Sequence, residues 1–291
     1  MKKFDFIHFD NVSKYFGNNA ALEEVDFKIP QYSIVGLLGP NGSGKSTLMR
    51  ILSGLIISWD GDIYLEGESI KKSNAILKRS GFLIEDPSFY EYLTAQQNLK
   101  MFSRLTSTDP KNINKVLKEV DLLDEKDKKV SDYSYGMKQR LGIAQAILHD
   151  PDILFFDEPN NGLDPIGIST MNKTMENLNK EGKTIFISTH ILDDVKELCS
   201  HVIVLREGKL VLDESIEGLI NNEERYILKL NNAQIALDKI ESHSAVEVID
   251  SSDKRITVRS SMNIYDLISI IPIDSELNSI SRDPNISRLF R

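Results

Sequence analysis

Gly39-Pro40-Asn41-Gly42-Ser43-Gly44-Lys45-Ser46-Thr47 is the stretch that decides the fold. Its spacing is G-x-x-x-x-G-K-[ST], and each position has a physical role. The glycines let the backbone curl until successive N–H groups converge on one phosphate. Lys45 supplies a point charge for the β- and γ-phosphates, and the Ser46 hydroxyl is a ligand for Mg²⁺. The N-terminus of a following helix adds the positive end of its dipole. A Gly-rich turn of this spacing arises by chance in about one chain in a hundred of this length. Here the flanks comply as well. Residues 33–38 read as an apolar strand, and Leu48, Ile51, Leu52 and Leu55 stripe a helix over 45–55.

Further along, Ile153-Leu154-Phe155-Phe156-Asp157-Glu158-Pro159 is an apolar strand that ends in two acids. A buried carboxylate is costly without a compensating cation. Asp157 is therefore placed to hold Mg²⁺ through water, and Glu158 to polarise an attacking water. An ordinary acidic strand exit has the same appearance in isolation; beside a phosphate loop it does not compete. His190 follows a third apolar strand, residues 184–189, where open α/β sheets place ligand contacts. His8, His149, His201 and His243 have no such context.

Around these motifs the first two thirds of the chain alternate in character. Residues 4–12 and 21–29 read as strands, with a hairpin-like stretch over 63–65 that ends at Gly67. Residues 90–150 are mostly helical, with stripes at Ile113, Val116, Leu117 and Val120, and at Leu141, Ala144, Gln145 and Leu148. Strands return at 153–156, 184–188 and 202–205 with helices between them, a largely parallel α/β arrangement. A hairpin turn at Glu207-Gly208-Lys209 leads into residues 210–212. The expected domains are therefore 1–220 and 221–291. The second reads strand-helix-strand-strand-helix-strand, with strands near 226–230, 246–249, 256–258 and 277–281 and a helix over 263–271. That order is similar to a small ferredoxin-like α+β unit. It carries no catalytic motif, so regulation or protein contact is its expected role.

Bulk properties narrow the function classes. Net charge is −9, which argues against a nucleic-acid binder, since phosphate backbones are held by clustered Lys and Arg. No apolar run reaches the roughly 18 residues that cross a bilayer. The lysines at 2 and 3 precede no apolar signal core. The expectation is a cytoplasmic protein that reaches a membrane only through a partner. The single cysteine, Cys199, lies in an apolar-periodic stretch and reads as a small core residue.

Tyr133-Ser134-Tyr135-Gly136-Met137-Lys138-Gln139-Arg140 opens a helix shortly before the acidic strand. With the phosphate loop and the two acids, it resembles the signature of ATP-binding subunits of ABC transporters, a resemblance that runs from about residue 4 to 215. It implies a P-loop ATPase core with an antiparallel β subdomain and a helical subdomain at about 90–150. It further implies ATP and Mg²⁺ as ligands, a membrane-spanning partner, and a homodimer in the ATP-bound state. Ser134 and Gly136 then face the γ-phosphate in trans, and His190 corresponds to the switch histidine that contacts it. Phe16, before Gly17, corresponds to the aromatic that stacks on adenine, with Tyr15 as second choice. Gly162-Leu163-Asp164 resembles the loop that couples the two sites.

Three positions depart from the family pattern. Tyr135 and Met137 replace the usual second glycine and glutamine of the signature, and Glu85 of Phe82-Leu83-Ile84-Glu85-Asp86-Pro87 stands for the switch glutamine, still within reach of Mg²⁺. Such replacements are similar to those of exporter subunits related to bacitracin and lantibiotic self-protection pumps. The aromatic run Phe89-Tyr90-Glu91-Tyr92-Leu93 reads either as local core or as a groove for a short helix of the membrane subunit. Two other classes share the loop: a soluble ABC-type ATPase acting on nucleic acid or ribosomes, and a small-molecule kinase. One phosphate loop, no long heptad insertion and the acidic balance weigh against the first; the signature segment and Glu158 weigh against the second.

Overall fold

A computed structural model describes residues 6–217, 225–260, 262 and 264–282. The boundary expected at 220/221 and the first residues of the strand expected from Phe4 lie outside these. The chain divides into a unit up to Glu214 and a unit from Ser215.

In the first unit the elements are β1 (Ile7–Phe16), β2 (Asn19–Ile29), β3 (Ile34–Leu38), α1 (Lys45–Leu52), β4 (Asp60–Leu65), β5 (Glu68–Ser69), α2 (Ala75–Arg79) and β6 (Ser80–Leu83). Then come α3 (Ala95–Leu105), α4 (Asn112–Glu119), α5 (Tyr135–Ile147), β7 (Ile153–Asp157), α6 (Pro165–Lys180), β8 (Thr184–Thr189), α7 (Leu192–Leu198), β9 (His201–Arg206) and β10 (Lys209–Ser215). They form a four-stranded sheet of order β2-β1-β4-β5 and a six-stranded sheet of order β10-β9-β3-β8-β7-β6. Paired strands of the first are antiparallel. In the second, β3 pairs in parallel with both β8 and β9, and β7 with both β6 and β8.

Parallel strands covered on both faces are written as continuous apolar runs. Ile153, Leu154, Phe155 and Phe156 of β7 are accordingly all at 0% exposure. The two sheets share one core, in which Phe9, Phe27 and Phe186 stack with ring centroids 4.1–6.3 Å apart. Helix α1 enters that core through Leu48, Met49, Ile51 and Leu52. It ends at Leu52, short of the 45–55 expected, because Gly54 adopts a left-handed φ of 74°. Leu55 is left 68% exposed. Strand β6 and the helix before it have no counterpart among the elements expected from the sequence. Four and five residues are too few to establish a period.

Helices α3, α4 and α5 carry the helical stretch. Thr94 and Gln97 form a reciprocal capping box at the start of α3, the Thr94 hydroxyl accepting from the Gln97 N–H at 3.2 Å. Thr94→Ala is expected to lower unfolding free energy by about 1 kcal/mol. A denaturant midpoint that falls at constant m-value checks this.

In the second unit β11 (Arg225–Leu230), α8 (Ala233–Glu241), β12 (Val246–Ser252), β13 (Arg255–Ser260), α9 (Ile264–Ile270) and β14 (Leu277–Arg282) follow in order. The sheet order is β12-β13-β11-β14, and the pairings are antiparallel. Element order and pairing are those of a ferredoxin-like unit. Its own core is built on Tyr226, Leu228, Ala236, Ile240, Ile256, Val258 and Leu267.

Candidate functional site

Parallel pairing brings the carboxyl ends of three strands to one edge. Leu38 of β3 is level with Thr189 of β8, and Asp157 of β7 is level with Ser188. The phosphate loop, the two acids and His190 all leave from that edge, where open α/β sheets bind ligands.

The loop of residues 39–44 joins β3 to α1. Gly44 has a φ of 108°, and a Cβ there would lie 2.6 Å from the carbonyl of Ala21. Only glycine fits both conditions. Lys45 is 4% exposed and donates through Nζ to the carbonyls of Gly39 at 2.8 Å and Pro40 at 3.2 Å. Its ammonium lies 3.7 Å from Oε1 of Glu158. Burial holds Lys45 below the ordinary lysine range, while Glu158 and then Asp157 oppose that shift. The Ser43 hydroxyl is buried with no hydrogen-bond partner among the described residues. A buried hydroxyl beside curled backbone and a lysine fits a phosphate oxygen.

Glu158 is placed by its main chain. Its φ is 49°, and its N–H lies 3.1 Å from the Ser188 carbonyl and 3.0 Å from the Ser188 hydroxyl. The carboxylate sits between two groups, Lys45 on Oε1 and His190 Nδ1 at 3.1 Å from Oε2. The Ser188 hydroxyl donates to Asp157 Oδ1. Ser188 thus orients both acids, yet no sequence motif singles it out. Its signal is faint, since Ser188 is one of three buried hydroxyl residues of β8, with Thr184 and Thr189. Ser46, on the first turn of α1, and Asp157 offer one hydroxyl and one carboxylate, a hard-oxygen set that suits Mg²⁺. No group of three or more His, Cys, Asp or Glu among the described residues forms a metal site by itself.

Other expected residues are placed apart from this cluster. Phe16 ends β1 and is 53% exposed, with the Lys14 ammonium 5.1 Å from its ring centroid; Tyr15 beside it is also exposed. Ser134 caps α5, its hydroxyl accepting from the Met137 N–H at 3.2 Å. With Gly136, Gly162, Leu163 and Asp164 it lines a cavity of about 400 Å³. Asp164 caps α6 by accepting from the Gly167 N–H at 2.7 Å. Glu85 is exposed, and Arg50 of α1 holds its carboxylate. Of the aromatic run, Phe89 packs edge-on against Phe102, while Tyr90 and Tyr92 are exposed. Cys199 is buried, and burial pushes its thiol far above the ordinary range, which suits a packing residue.

Comparison with known proteins shows the family. The ABC transporter family model matches residues 22–161. The chain is 40% identical to the bacitracin transport ATP-binding protein BcrA of Bacillus licheniformis, over 80% of this chain and 78% of that one. It is 38% identical to the lantibiotic transport ATP-binding protein SrtF of Streptococcus pyogenes, over 79% of this chain and 97% of that one. A solved ATP-binding subunit of an ABC transporter superposes with a TM-score of 0.66 at 26% identity, covering 75% of this chain and 92% of that chain.

Proposed function

The chain belongs to the ATP-binding subunits of ABC transporters, and from that membership we propose how its residues run the cycle. It is an ATPase that acts with a separate membrane-spanning subunit, converting ATP and water to ADP and phosphate. The observation that carries the residue assignment is the Lys45–Glu158–His190 cluster at one sheet edge.

In this reading the loop amides, the Ser43 hydroxyl and Lys45 bind the phosphates, and Phe16 stacks on adenine. Ser46 and Asp157 hold Mg²⁺, which shares the phosphate charge when bound. Glu85, engaged by Arg50, joins them only when released. Glu158 accepts a proton from the attacking water, and His190 orients the Glu158 carboxylate and contacts the γ-phosphate. Two copies close head-to-tail, so that Ser134 and Gly136 of one face the γ-phosphate of the other. Loss of the γ-phosphate removes contacts that only the closed dimer makes, and the dimer reopens.

The relatives serve bacitracin and lantibiotic transport, so the assigned cargo is an antimicrobial peptide, or a drug or lipid-like molecule of similar amphiphilicity, moved outward. No described helix is long and apolar enough to cross a membrane. The membrane location assigned to the chain is the inner face, reached through the membrane-spanning partner, as family membership supports. Residues 1–220 are assigned to the nucleotide cycle and 221–291 to a small α+β domain for regulation or protein contact. A phosphate-release assay with water as sole acceptor tests the enzymatic reading. Dependence on another acceptor would point to a kinase.

Tyr90 and Tyr92 stand exposed with ring centroids 5.9 Å apart. The Tyr90 backbone is held at both ends by buried Asn98, at 3.0 and 3.1 Å. An exposed aromatic pair on an anchored backbone suits a helix-in-groove contact with the membrane subunit. Replacing both tyrosines by serine should leave basal hydrolysis of the free chain unchanged and cut cargo-stimulated hydrolysis and transport at least about tenfold. Transport at the parental level would place the docking surface elsewhere.

A further inference from the structure

Two neighbouring carboxylates in the loop after β6 are held from opposite sides. Glu85, in a left-handed conformation with φ 64°, is paired with Arg50 in the last turn of α1. That helix begins at Lys45 of the phosphate loop. Asp86 Oδ1 instead accepts from the Tyr135 phenol at 2.8 Å, and Tyr135 is the first residue of α5. One turn on, the Gln139 side-chain amide donates to the same phenol oxygen at 2.8 Å; Gln139 is buried. The phenol thus donates once and accepts once, which fixes its orientation. The loop is also seated tightly on α5, since a Cβ on Gly142 would lie 2.8 Å from Leu83 Cδ1 and 3.0 Å from Pro87 Cβ. On its other side, the Tyr135 ring approaches Gly162 so closely that a Cβ there would be 3.1 Å from Cε1. One side chain therefore touches the loop after β6, the second turn of α5 and the loop ahead of α6.

We propose that Tyr135 is a positioning residue for ATP hydrolysis: through Asp86 it ties the first turn of α5, with Ser134 and Gly136, to a loop that Arg50 anchors to the phosphate-loop helix. The inference rests on the reading that this first turn faces the γ-phosphate bound by the partner copy. Glycine, the residue the family pattern has at 135, can make no such bond. In this chain the angle between signature helix and phosphate loop is set by a phenol–carboxylate hydrogen bond before any nucleotide arrives. Misplacement of groups around a reacting phosphate is paid in rate far more than in affinity for the ground state.

The test uses the full chain, with steady-state hydrolysis and equilibrium ATP binding measured side by side. Tyr135→Phe, which removes only the hydroxyl, is expected to lower kcat roughly five- to tenfold and to leave the Kd for ATP within about twofold. Asp86→Ala should lose turnover in the same direction, and the double variant should lose no more than Tyr135→Phe alone, because removing the hydroxyl already deletes the bond to Asp86 together with the one from Gln139. Asp86→Asn keeps an acceptor for the phenol and should restore most of the turnover. Parental kcat in Tyr135→Phe, additive losses in the double variant, or no rescue by asparagine overturns the tie. So does a parallel loss of ATP affinity, which general loosening of the fold would produce. Ser134→Ala separates the two levels. If it loses turnover while Tyr135→Phe does not, the tie alone fails; if it turns over normally, the reading of the signature in trans fails and takes the tie with it.

Discussion

Glu158→Gln is expected to bind ATP as the parent does, to lose about two to four orders of magnitude in kcat, and to accumulate as a nucleotide-bound dimer. The substitution keeps nearly the same shape and volume. The placement of residue 158 is set by its left-handed backbone and by its N–H bonds to Ser188, neither of which involves the carboxylate. A glutamine oxygen can still accept from His190 Nδ1, as one carboxylate oxygen does now at 3.1 Å. What disappears is the ability to take a proton from water. Binding and closure depend on the loop, the lysine and the partner's signature, so they persist while the exit step stalls. Single-turnover hydrolysis and light scattering with ATP report the two halves separately. Turnover near the parental rate would remove Glu158 from the reaction.

Lys45→Ala should weaken ATP binding by about ten- to a hundredfold, the worth of roughly 1.5–3 kcal/mol for a hydrogen bond to a charged group. The ammonium is buried and lies near Glu158. Its removal leaves Asp157 and Glu158 facing an anionic ligand without that compensation, so the loss should reach the upper part of the range. It also strips the carbonyls of Gly39 and Pro40 of their shared donor, which loosens the loop locally. Calorimetric titration with ATP, alongside an unfolding curve to show that the fold persists, distinguishes a missing charge from a missing fold. An unchanged Kd would show that the phosphates are held elsewhere.

Much of this is readable in the chain because the physics behind it is local. A curled loop between strand and helix needs glycines at fixed offsets, so residues 39–47 announce themselves. A strand buried on both faces must be apolar throughout, so the acids after Phe156 stand out. The elements that escape detection are those whose definition is non-local. Strand β6 is four residues long and is recognisable as a strand only through its pairing with β7. Ser188 is a hydroxyl in a strand, meaningful only when parallel register brings it beside Asp157. Tyr135 reads as a departure from the family pattern, and its role emerges only when Asp86, 49 positions away, closes on it. Glu85 is the same kind of case: its partner Arg50 lies on a different element. The helix expected over 45–55 is too long because Leu55 continues the stripe, whereas the left-handed backbone of Gly54 ends the helix first.

The two carbonyls already gripping Lys45 take two of the ammonium's three N–H donors and leave one for an arriving oxygen. A long, rotatable side chain has thus given up its freedom before any ligand appears, so that entropy is not a cost of binding.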